Sequence, residues 1–96
     1  MSTAGQVAQR AKGGTAAEQT DDILKEIDSL LSEAGTDKSK LLTATIWLSD
    51  MGDFAEMNSI WDAWVSPGNA PTRACVESPR LAASHFTVEI AVTAAV

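Results

Sequence analysis

The chain is poor in the residues that most often announce a chemistry. Among its 96 residues there is one cysteine, Cys75, and one histidine, His85. A lone cysteine closes no internal disulfide, so a reducing, cytoplasmic setting is expected. One histidine and one cysteine fall short of a ligand set, and no ligand spacing occurs, so no metal is expected. Tyrosine is absent. Positive charge is scarce, with 7 Lys and Arg against 13 Asp and Glu and a net charge of −6. Nucleic acid and anionic membranes both require a clustered positive field, so neither is expected as a partner. No apolar run approaches the length of a membrane span. The opening residues lack the basic stretch and apolar run of a signal peptide. No glycine-rich phosphate loop, internal repeat or low-complexity segment is found.

What is present is a chain with 45% hydrophobic residues, of a length suited to one domain over residues 1–96. A core of that size is modest, and oligomerisation is a reasonable way to bury more surface. Residues 3–9 give a weak strand signal, and Lys12-Gly13-Gly14 reads as a loop. Thr15 and Glu18 then have capping-box spacing. Ile23, Leu24, Ile27, Leu30, Leu31 and Ala34 recur with helical period, Asp21 can pair with Lys25 one turn on, and Gly35 is the stop. Burying the five large aliphatics contributes on the order of 7–15 kcal/mol before entropy is counted. Residues 42–49 alternate as a half-buried strand, with Leu42, Ala44, Ile46 and Leu48 on one face. Asp53 and Glu56 repeat the capping spacing ahead of a second amphipathic helix carrying Phe54, Met57, Ile60, Trp61, Trp64 and Val65. Pro67 to Pro71 form a loop. Residues 71–77 make a third strand, Pro79 marks a bulge or an edge, and residues 86–94 close the chain as a fourth strand. The predicted order is β-α-β-α-β-β, an α+β domain with two helices on one face of a mixed sheet.

The segment Pro71-Thr72-Arg73-Ala74-Cys75-Val76-Glu77 is the most unusual. Its Arg73, Cys75 and Glu77 share one side, too polar for a simple core. An arginine held at the start of a strand is a good receptor for a small carboxylate, because its fork matches two oxygens. Glu89 lies on the polar side of the last strand. Consecutive strands usually neighbour each other, which would let Arg73 and Glu89 share a face. An arginine that holds a carboxylate and a glutamate that handles a water make a minimal hydrolytic site. Spacing alone reads first as a structural salt bridge or as two unrelated surface charges. Cys75 has no activating partner and reads as a buried, inert thiol. His85 reads as a surface loop residue. The three tryptophans belong to the core or to a subunit interface. Asn58, among apolar helix positions, either caps a neighbouring backbone group or sits at an interface.

Several stretches together carry a resemblance. They are Ser32-Glu33-Ala34-Gly35, the run Thr43 to Met51, Asp53-Phe54-Ala55-Glu56-Met57-Asn58, Pro71 to Glu77, and Val88-Glu89-Ile90. In this order, over roughly residues 17–95, the chain resembles the RidA/YjgF family of enamine and imine deaminases. Ala4-Gly5-Gln6 is similar to the family's Ser-Gly-Gln turn. The resemblance implies a chorismate-mutase-like (RidA-type) fold and a homotrimer with clefts between subunits. It implies hydrolysis of reactive 2-imino acids to 2-keto acids and ammonia, with no cofactor, since an imine is already activated. Arg73 would clamp the substrate carboxylate, backbone around Cys75 would meet the imine end, and Glu89 would position the water. Gly5 and Asn58 would line or support the cleft. Family members open with a strand pair carrying a Gly-Pro-Tyr-like segment that this chain lacks, so the resemblance implies an N-terminally shortened member. The competing expectation is a carboxylate-binding or protein-interacting trimer that has lost catalysis.

Overall fold

The fold follows from two amphipathic helices that each need an apolar surface to lie on. In the computed structural model, which describes residues 1–96, the first of them starts as its cap predicts. Thr15 Oγ1 accepts from Glu18 N at 3.1 Å and Glu18 Oε1 accepts from Thr15 N at 2.9 Å, so two orphan donors are satisfied reciprocally. This helix, α1, runs Ala16–Glu33. Gly35, at φ +78°, turns the chain out of it. Ile23, Leu24, Ile27 and Leu31 are fully buried, at roughly 1.5–3 kcal/mol apiece relative to exposure. Asp21 and Lys25 pair at 2.9 Å on the outer face.

The remaining elements are β1 (Gln6–Val7), β2 (Leu41–Leu48), α2 (Phe54–Trp64), β3 (Thr72–Glu77) and β4 (Val88–Ala94). The element order is the predicted one. The strands form one sheet in the order β1-β4-β2-β3. Strands β2 and β3 run parallel, while β4 is antiparallel to both β1 and β2. Both helices cover the same face. Ala44, Ile46 and Leu48 of β2 and Val88, Ile90, Val92 and Ala94 of β4 are buried beneath them with Met57 and Trp61 of α2.

Five expectations need correction. Strands β3 and β4 are not neighbours, because β2 lies between them. The early strand shrinks to Gln6–Val7, with an isolated bridge from Ser2 to Thr93. The register of β2 slips between Leu41 and Thr43, so Leu41 enters the core and Leu42 is 55% exposed instead of sharing the face of Ala44. Phe86 is buried but precedes β4, which starts at Val88. Asp53 makes no side-chain cap to α2. Glu56 instead reaches across to α1 and accepts from Ala17 N at 2.7 Å, a tertiary use that outcompetes the local one.

Candidate functional site

Register decides which side chains can meet. Arg73, Cys75 and Glu77 lie opposite Ala44, Ile46 and Leu48, so they share the helix-covered face. Glu89 lies opposite Trp47, and Trp47 opposite Val76, so Glu89 belongs to the uncovered face. Arg73 and Glu89 are therefore on opposite sides of the sheet, one strand apart, and no ion pair joins them. The expected shared face does not exist within one copy of the chain.

On the covered face β3 is an edge strand, and α2 supplies what Arg73 needs. Arg73 Nη1 donates to Asn58 Oδ1 at 2.7 Å. The guanidinium carbon stands 5.8 Å from the Phe54 ring centroid and 5.5 Å from that of Trp61, within cation–π reach of both. Phe54, Asn58 and Trp61 are spaced by four and three residues, one stripe of a helix. That spacing was visible in the sequence as a shared stripe, though not as a cradle for a cation. The arginine is half-buried, is held on three sides, and has no carboxylate partner. Cys75 is half-buried beside it. Burial pushes the thiol's pKa up, with Arg73 opposing weakly, so the thiol stays protonated and is a poor nucleophile. Glu77, on the same row, accepts from Met51 N at 2.9 Å and fastens the turn before α2.

On the uncovered face the structure brings Gly5 and Glu89 together. A Cβ on Gly5 would overlap Glu89 Oε2, so only glycine lets the carboxylate lie against the chain there. Thr45, Trp47, Ala91 and Thr93 are half-buried around it, while Ala74 and Val76 are exposed. Two residues before Glu89, Thr87 Oγ1 is buried without a hydrogen-bond partner.

One supporting residue escaped the sequence reading. Gln19 is fully buried. Its Nε2 donates to Gly14 O and His85 O at 3.0 Å each, and its Oε1 accepts from Thr87 N at 2.8 Å. It thereby ties the approach to β4 onto the start of α1. Its only signal was a glutamine one turn ahead of Ile23, on the apolar stripe. His85 has its ring edge-on to Phe86 at 4.3 Å. No group of His, Cys, Asp and Glu is arranged to hold a metal ion.

The model of the family described as Endoribonuclease L-PSP matches residues 1–96. The chain belongs to that family. It is 51% identical over 79 residues to a RutC family protein of Haemophilus ducreyi, an alignment covering 82% of this chain and 67% of that protein. It is 48% identical over 79 residues to the RutC family protein YoaB of Escherichia coli, covering 82% of this chain and 68% of YoaB. A crystal structure of a YjgF family member from Neisseria meningitidis superposes with a TM-score of 0.92 at 53% identity, covering 97% of this chain and 76% of that one. The resemblance read from the sequence, and the sheet with two helices that it implied, thus stand on the fold as well. No helix is long and apolar enough to cross a membrane.

Proposed function

We propose that this protein hydrolyses reactive 2-imino acids and their enamines, such as 2-iminopropanoate and 2-iminobutanoate, to 2-keto acids and ammonia. The observation that carries the reading is Arg73. Its guanidinium is braced by Asn58, Phe54 and Trp61, yet no carboxylate neutralises it. A cation positioned in this way offers its remaining donors to a substrate carboxylate and orients the rest of the molecule. Backbone groups around Cys75 would meet the imine end. Glu89 would take a proton from water as the oxygen attacks the imine carbon. Glu89 returns that proton to the nitrogen, and the resulting carbinolamine passes its hydroxyl proton to the amine as the C–N bond breaks, the C=O forms and ammonia leaves. Imine plus water balances keto acid plus ammonia, and no cofactor enters.

Because Arg73 and Glu89 lie on opposite faces, this reading requires Arg73 of one copy to work with Glu89 of another. A homotrimer with its clefts between subunits meets that need, and Gly5 and Asn58 then support the two walls. The single cysteine suits a cytoplasmic setting. RNA cleavage, which the family description suggests, has weaker support, since a chain of net charge −6 shows no positive track for a phosphate backbone.

The test is release of 2-keto acid from 2-iminopropanoate made in situ, against a competing trap, by the natural sequence and by Arg73→Ala. Acceleration by the first alone supports the deaminase. Equal acceleration by both sinks it. The second reading, a trimer that binds carboxylates or protein without turnover, rests on the same unneutralised Arg73, which can hold a carboxylate whether or not Glu89 meets it. It predicts protection against heat by small keto acids with no acceleration, and it fails if those acids leave the melting temperature unchanged.

A further inference from the structure

Residues 78–87 connect β3 to β4, and six of them, with Ser49 at the end of β2, line a half-open pocket of about 360 Å³. The cavity is held open by backbone bonds at both ends. Ser78 N donates to Leu48 O at 2.7 Å, and Ser49 N donates to Thr87 O at 3.0 Å. His85 O accepts from both Gly13 N and Gln19 Nε2 at 3.0 Å, and Phe86 N donates to Ala83 O at 3.1 Å. Ser78 Oγ closes the near side by donating to Arg80 O at 3.0 Å. A pocket built in this way exists before any ligand arrives, which is what small-molecule sites require.

Its lining is bipartite. Leu81, Phe86 and Pro79 give an apolar wall, while Arg80, Ser49 and Ser84 bring one guanidinium and two hydroxyls. The ion pairs of this protein are Arg10 with Asp22 and with Glu26, and Lys25 with Asp21. The guanidinium of Arg80 enters none of them and donates no hydrogen bond within the chain. With 13 acidic side chains available, an arginine that has drawn none of them is free to take an anion from solution.

We infer that this pocket binds a small organic monocarboxylate with a short apolar body. Arg80 takes the carboxylate through two parallel N–H bonds. The hydroxyls of Ser49 and Ser84 can donate to its oxygens, and Leu81 and Phe86 receive the hydrocarbon part. A single guanidinium in a chain of net charge −6 suits a monoanion rather than a phosphate dianion. Neither Arg73 nor Glu89 lines the cavity. The site is therefore separate from the one proposed above and does not depend on that reading.

Isocaproate is a suitable probe, being a monocarboxylate with a branched apolar tail and no keto or imino group. Titrated into the full-length protein and followed by amide NMR, it should shift Ser49 and residues 80–84 saturably. Arg80→Ala should weaken that response about tenfold or more, the scale of a lost charged partner, with no change in melting temperature at this exposed position. Arg80→Gln serves equally should alanine unsettle the loop. Arg73→Ala should leave the response intact. The neutral isocaproamide should fail to produce it. The proposal is overturned if isocaproate gives no saturable shift there, if Arg80→Ala or Arg80→Gln responds undiminished, or if Arg73→Ala abolishes the response. Equal binding of isocaproamide would reduce the pocket to an apolar groove, and equal binding of inorganic phosphate to a nonspecific anion site. Either result also overturns it.

Discussion

The two faces of the sheet are built by different rules. The helix-covered face is filled by Ile46, Leu48, Val88 and Ile90, all fully buried, and carries polar side chains at its edge strands, Gln6 on β1 and Arg73 and Glu77 on β3. There Asn58 and the turn before α2 satisfy Arg73 and Glu77. The uncovered face carries Trp47, Thr45, Ala91 and Glu89 half-buried, with Val76 43% exposed. One face is closed by the chain's own helices. The other presents small and apolar side chains for which the chain supplies no cover, together with a carboxylate laid against Gly5. A proposed site whose two halves fall on these two faces is incomplete in one copy, and this is why assembly and activity are linked in the proposed function.

Complementation between the two faces has the largest expected effect. Arg73→Ala and Glu89→Ala should each lower turnover by about a hundredfold or more, the scale of losing an oriented charged group. Unfolded and refolded together, the two variants should regain a measurable fraction of activity, because some clefts then pair an intact Arg73 with an intact Glu89. A mixture as inactive as its parts would show that the two faces do not share a site. Next in size, Ile46→Ala on the covered face should cost about 2–5 kcal/mol, read from the denaturation midpoint. Ala74→Glu on the uncovered face should lower the sedimentation mass by breaking assembly. In the dissociated chain it should change stability by only about 0.5 kcal/mol. If Ala74→Glu leaves the mass unchanged, that face is not a subunit contact.

Two smaller effects sharpen the contrast. Gly5→Ala forces Glu89 aside, but the group displaced is the end of a flexible side chain. Turnover should fall about tenfold while the melting temperature hardly moves. Thr15→Ala should cost about 1 kcal/mol, since it removes a formed cap, and Asp53→Ala should cost nearly nothing, since no cap forms there. Equal losses at Thr15 and Asp53 would show that Asp53 caps α2 in solution.

Much of this architecture was legible before folding because it is written in short-range patterns. The period of Ile23, Leu24, Ile27 and Leu31 specifies α1, and the capping box and Gly35 specify its ends. Alternation on β4 correctly put Val88, Ile90 and Val92 on one side and Glu89 on the other. The Phe54–Asn58–Trp61 stripe was visible, with Phe54 and Trp61 read as an apolar face and Asn58 as a cap or an interface residue, because periodicity reports which residues share a face and is silent on what that face touches. Gln19 was illegible, since its three partners come from Gly14, His85 and Thr87, two of them more than sixty residues away.

By itself the sequence determined the elements, their order, the family and the identity of the chemical groups, all of which depend on local spacing and residue type. Only the tertiary structure decided that β2 separates β3 from β4. It also decided that the polar row of β3 faces the helices while the polar side of β4 faces away from them. Alternation divides each strand into two sides, but which side is covered depends on where the helices pack. At an edge strand a helix can shelter an arginine as readily as an isoleucine, provided that it brings an asparagine and two rings to meet it.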